Sequence, residues 1–175
     1  MKTKNMINLF FLLVAITLSC KKNDSHIPSD GDKDITNNID STCKYGGIIL
    51  DTANVKQEDQ ILLGRWQLIS YVDIDKCTFK NEPNNLSKSI IIEFVTLDSI
   101  QGNTVLNSFN GNYNVNNQKI KFTNFVITEM CCEPEWTKDF SIGIYNTDYV
   151  RTQNDTLVIY YEQSKKAMIY LKLNN

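Results

Sequence analysis

From Tyr45 onward the chain alternates short apolar runs with Asn, Asp and Gly punctuation, the pattern of antiparallel strands joined by tight turns. In the run 62–72, Leu62, Trp66, Leu68, Ser70 and Val72 fall on one face and Arg65 and Gln67 on the other, which predicts a first long strand. A polar loop, DIDKCTFKNEPNNLSKS, separates it from IIIEFVTL, where Ile90, Ile92 and Phe94 share a face. Asn110-Gly111 and Asn116-Asn117 are expected turns, because Asn and Gly accept positive φ at low cost. Around them lie NYNV and QKIKFTNFV, the second aligning Ile120, Phe122 and Val126 on one side. YVRTQ, TLVIYYE and KAMIYLKL then form a closing meander, with turns at Asn154-Asp155 and near Ser164.

The two-residue period breaks once, in EPEWTKDFSIGIYNT, where Trp136, Phe140 and Ile144 recur every fourth residue. That spacing predicts a helix of about three turns. Pro134 suits its first turn, and Glu133 and Glu135 would complement the positive end of its dipole. The apolar stripe is expected to plug the open face or end of the sheet. Seven or eight antiparallel strands and one helix predict a mainly β fold. Its sheet is expected to be strongly curled or barrel-like, packed against the single helix, since closure removes unpaired edges.

Composition changes the picture most at the N-terminus. Residues 1–19 carry Lys2 and Lys4, an apolar run from Ile7 to Leu18, then Ser19 before Cys20. That run is shorter than the roughly 18–20 residues of a permanent span and reads as an export signal. Cys20 after a small residue resembles the bacterial lipobox, which implies lipidation at Cys20 and a membrane surface as a partner, each buried methylene contributing about 0.8 kcal/mol. Between 20 and 44 the large apolar side chains are Ile27, Ile35 and Ile39, so this stretch reads as a flexible tether, followed by a β-rich domain over 45–175. CKKND at its start is similar to surface-display addresses of some Bacteroidetes lipoproteins. The expected location is the bacterial cell envelope, at the outer membrane, on its periplasmic face or at the cell surface. The whole chain has 18 basic and 20 acidic side chains, and losing Lys2 and Lys4 makes the balance more acidic, so nucleic acid is not an expected partner.

Three stretches resemble the META domain, also called HslJ-like, of bacterial envelope lipoproteins: LLGRWQLISY, LNSFNGNYNVNNQKIKFTNFVITEMCC, and the helix followed by YVRTQNDTLVIYY. The matching positions are Asn107, Phe109, Gly111, Tyr113, Thr128, Met130 and Cys132, with a departure at Leu106, where the family often has cysteine. The likeness spans about 61–173. It implies a compact β-rich domain with a packed helix and no shared catalytic residues. Gly64-Arg65-Trp66 at a first strand is also similar to the lipocalin signature, in which an arginine near the last strand lies over the tryptophan; here the last strand offers lysines, and the arginines are Arg65 and Arg151.

With Cys20 assigned to the lipid, Cys43, Cys77, Cys131 and Cys132 remain in an oxidising setting. Four cysteines allow three connectivities, and bonding the neighbours Cys131 and Cys132 to each other would be strained, so Cys43 and Cys77 are each expected to bond one of that pair. Because Leu106 replaces the family's cysteine, Cys77 is expected to take over its role with Cys132 or Cys131, a closure of roughly 4 kcal/mol in the chain-entropy model. No metal or cofactor is expected, since His26 is the single histidine and lies in the tether. Nucleophilic triads fail for the same reason, and Glu133 and Glu135 read as dipole partners rather than as an acid–base pair. No catalysis is expected. Trp66, Trp136 and Phe140 are the candidate lining of an apolar ligand pocket at the barrel mouth. Two functional expectations follow: a non-catalytic envelope protein that binds another envelope component or acts in envelope stress, or a lipocalin-like carrier of a small apolar ligand.

Overall fold

A computed structural model describes residues 42–50 and 62–174. The export signal, Cys20, His26 and the tether up to residue 41 lie outside the described residues. Twelve elements follow in order: β1 (Lys44–Tyr45), β2 (Ile48–Ile49), β3 (Gly64–Asp73), β4 (Thr78–Asn81), β5 (Ile91–Phe94), β6 (Ser99–Asn103), β7 (Ser108–Asn116), β8 (Lys119–Ile127), α1 (Glu135–Tyr145), β9 (Thr147–Gln153), β10 (Thr156–Tyr161) and β11 (Lys166–Lys172).

All pairings are antiparallel, and the meander from β5 to β11 returns to β3, closing an eight-stranded barrel. One edge of β3 is shared: β5 takes Gly64 to Gln67 and β4 takes Ser70 to Asp73. Its other edge pairs with β11 from Trp66 to Asp73. The thinnest seam is between β8 and β9, which share the single register pair Lys119 and Tyr149, and α1 is inserted in the chain at that point. Hairpins follow turn chemistry where Asn117 and Gln118 adopt positive φ (48° and 64°) between β7 and β8, and Asn154 does so (53°) between β9 and β10.

The helix forms as its spacing predicts, with Trp136, Phe140 and Ile144 all buried. These side chains join Trp66, Leu68, Ile92, Phe94, Leu157 and Met168 in one core inside the barrel. Phe140 stacks on Phe109 at 5.3 Å and Phe109 on Phe125 at 5.1 Å. Gly143 lets the helix backbone lie against Met168, whose sulfur would be 2.7 Å from an added Cβ.

Two straight-strand expectations fail because each strand carries a bulge. Opposite Ile169 and Tyr170 the register of β3 shifts past Ile69, so Trp66 and Leu68 face inward, then Tyr71 does, while Val72 belongs to an outer cluster. In β8 Asn124 has φ of 49°, after which Phe125 and Ile127 pack on the core and Val126 is 61% exposed. Asn110-Gly111 is likewise not a turn: both lie within β7 at the matching irregularity, where a Cβ on Gly111 would be 3.1 Å from the backbone at Phe125. The loop expected after β3 contains β4.

The outer cluster consists of Cys43, Ile48 and Leu50 packed on Val72, Val158, Tyr160, Ala167 and Ile169. The β1–β2 hairpin therefore covers one outer wall, and Arg151 ties it down by donating to the Ile49 carbonyl at 2.9 Å. Cys43 and Lys44, assigned by sequence to the tether, belong to this ordered hairpin instead.

Candidate functional site

Trp66, Trp136 and Phe140 are brought into one core, but as filling: they are 1%, 2% and 0% exposed. The Trp66 indole N–H donates to the Leu62 carbonyl at 2.7 Å, and Lys172 of the last strand places its ammonium 5.3 Å from the ring centre. Trp136 meets Tyr71 edge-on at 4.4 Å, and the Tyr71 hydroxyl donates to the Trp136 carbonyl at 2.6 Å. Since Tyr71 lies about 15 Å beyond Trp66 along β3, the two tryptophans occupy different levels of the barrel. Burial pushes the Tyr71, Tyr161 and Tyr170 hydroxyls well above their ordinary value, so they stay protonated.

Beside the helix start is a groove of about 480 Å³ on the surface. Leu86, Val105, Leu106, Pro134 and Trp136 give it apolar walls, and Cys132 stands on its bank. Lys80 closes the rim, bonded to Asp139 at 2.6 Å and 4.0 Å from Glu135. The rim cation is thus already paired with a carboxylate.

Several of the motif residues hold the fold together. The Asn107 side-chain oxygen accepts from the Met130 N–H at 2.7 Å and from the Thr128 hydroxyl at 3.1 Å, while its amide donates to Glu133 at 2.7 Å. Glu133 also accepts from the Thr104 hydroxyl and from the Leu106 N–H. Burial alone would raise its carboxyl, but these hydrogen bonds from Thr104, Asn107 and Leu106 hold it below its ordinary value. Glu133 therefore locks the β6–β7 turn to the segment before α1, and Glu135 is the acid in the first turn of the helix. Tyr113 donates to the Thr96 carbonyl at 2.8 Å and packs edge-on against Phe94.

The cysteine expectation is overturned. Cys43 bonds Cys77, with Cα atoms 5.3 Å apart, and Cys131 and Cys132 are free and exposed. The reason is the β1–β2 hairpin, which the sequence reading left in the tether: lying on the outer wall, it delivers Cys43 to the β3–β4 turn at Cys77. Among the described residues no group of three or more His, Cys, Asp and Glu side chains could hold a metal, and no helix is long and apolar enough to cross a membrane.

The model of the META domain family matches residues 59–173, most of the chain and the whole of the barrel. The chain belongs to the META domain family. Solved structures are similar to this chain in fold at low identity. A DUF4847 family protein from Bacteroides vulgatus is 12% identical with a TM-score of 0.50, covering 65% of this chain and 96% of its own. A protein from Burkholderia xenovorans is 15% identical with a TM-score of 0.54, covering 71% and 97%. No curated protein matches.

Proposed function

We propose that this META domain is the non-catalytic binding part of a lipid-anchored envelope protein. Cys20 holds it on the outer membrane, and the domain engages another envelope component, as under envelope stress, through the groove beside Trp136. The observation that carries this reading is the filled interior: α1 and the aromatic side chains around Phe140 take the space a carried ligand would need. Binding then falls to the outside, where the groove combines apolar walls with a charge-paired rim. In the alternative, a lipocalin-like carrier, the ligand would have to displace Trp66, Trp136 or Phe140.

A photo-crosslinking residue at Leu106, on the groove, tests the reading against one at Leu97, which is 83% exposed and does not line the groove. A discrete envelope partner captured only from position 106 supports it; equal capture from both positions, or from neither, overturns it. Cys20→Ala should release the protein from membranes, and persistence there contradicts the anchor.

A further inference from the structure

β4 is the last strand in the sheet order, and among the described residues no strand pairs with its outer edge. The Ile74 N–H donates to the Lys165 carbonyl at 2.8 Å, so the alternate residues Val72 and Ser70 bond β11 in the same way. That leaves Tyr71 and Asp73 to bond Lys80 and Thr78 of β4, and the Glu82 N–H on the Ile69 carbonyl continues the alternation. Phe79 and Asn81 therefore turn their main-chain N–H and C=O groups away from β3. All of β4 is exposed, so this edge, of a kind that sheets usually cover, is open among the described residues. It borders the groove, because Lys80 is itself a wall residue and its ammonium is held by Asp139. Trp136, another wall residue, is 2% exposed, and its indole N–H has no hydrogen-bond partner among the described residues. A buried donor without an acceptor costs free energy that a carbonyl in the groove would recover.

We propose that an extended polypeptide segment of the envelope partner adds to β4 as a further strand, bonded to the main chain of Phe79 and Asn81, with alternate side chains lying in the groove. This rests on the groove reading given above and names the partner's chemistry: a strand with apolar residues at every second position. Opposed residues in a sheet share a face, so the segment's residues beside Lys80 fall on the groove side, against Leu86, Leu106 and Trp136. Those beside Phe79 and Asn81 make the main-chain hydrogen bonds, which give affinity while the groove gives selectivity. An acyl chain would cover the apolar walls yet leave the open edge and the Trp136 N–H unmet. A polypeptide main chain supplies the donors and acceptors that both need.

The test uses the full chain with Cys20→Ala and a pool of end-blocked peptides of about ten residues in which Val, Leu, Ile or Phe alternates with Thr, Ser or Lys. Some should be retained saturably, shifting the Trp136 indole resonance and slowing exchange of the Phe79 and Asn81 amide protons about 10-fold at ten times Kd. N-methylating every second peptide nitrogen should weaken binding about 10-fold in one register and leave it unchanged in the other. Asn81→Pro removes an edge N–H without removing a hydrogen bond to β3, so it should fold normally and bind about 10-fold more weakly. A pool from which nothing is retained overturns the proposal, as does retention indifferent to both Asn81→Pro and the register of N-methylation. The groove reading fails separately, when crosslinking from position 106 captures no partner. Undiminished capture from that position in Asn81→Pro removes strand addition and leaves the groove reading standing.

Discussion

Phe140→Ala removes the side chain at the centre of the plug. Phe140 is 0% exposed, stacks on Phe109 at 5.3 Å and sits four residues from both Trp136 and Ile144 on the helix's buried stripe. The lost transfer energy and the cavity left behind together cost about 3–5 kcal/mol for a buried Phe→Ala change. Collapse should be limited, because strand pairing runs around the barrel wall, most thinly between β8 and β9. The loss is therefore placed at about 4 kcal/mol, which for a domain of this size lowers Tm by roughly 15 °C. Urea unfolding followed by circular dichroism reads the change in midpoint, and an unchanged slope would show that the unfolded state is unaffected. The cavity should also be dry and apolar, so the variant should take up benzene or xenon where the parent does not. A loss below about 1 kcal/mol would refute the reasoning, since α1 would then lie on the barrel without filling it.

Three other predictions follow from specific contacts. Gly102→Ala should cost about 3 kcal/mol or prevent folding, because a Cβ there would be 2.1 Å from the Ile91 carbonyl oxygen and 2.4 Å from the Phe109 ring; a neutral result in thermal melts would show that this close approach is absent. Glu133 has a folded-state carboxyl held below its unfolded value near 4.5, so its stabilisation is present above that pH and fades as pH falls through the folded value. Glu133→Gln should accordingly be less stable than the parent at neutral pH and converge with it in acid, as followed by urea midpoints across pH; parallel curves would be inconsistent with the assigned shift. Replacing both Cys43 and Cys77 by Ser opens a link of sequence separation 34, which should lower stability by about 4 kcal/mol in the chain-entropy model. An unchanged denaturation midpoint would argue against the bridge.

The helix was fully legible because Trp136, Phe140 and Ile144 repeat at a spacing that only a helix turns into one face. Closure of the sheet was legible too, from the number of strands and their tight turns. The direction of individual side chains was not, because a bulge inserts one residue and reverses every face beyond it. Ile69 did this in β3 and Asn124 in β8; Ile69 is an ordinary strand residue, and Asn124, though of a type that accepts positive φ, sits among alternating apolar residues that read as an unbroken strand. β6 was overlooked since its inward position 102 is glycine, with the Phe109 ring from the neighbouring strand occupying the space a side chain would have taken. The disulfide was misassigned because its partner depends on a two-residue-strand hairpin too short to show periodicity. For the candidate site, Trp66, Trp136 and Phe140 were found as large apolar residues, but whether such residues line a space or fill it depends on packing, which sequence does not display.

The interior of this META barrel is filled, and its ligands are proposed to bind from outside. The chain has two tryptophans, so its indole N–H groups give two separable nitrogen–proton resonances, one reporting the Trp66 level and one the groove wall at Trp136. Titrating the full chain with palmitate and with an anilinonaphthalene dye should leave the Trp66 indole resonance in place, any response being confined to Trp136. A saturable shift of the Trp66 resonance would contradict the account and put the ligand inside the barrel.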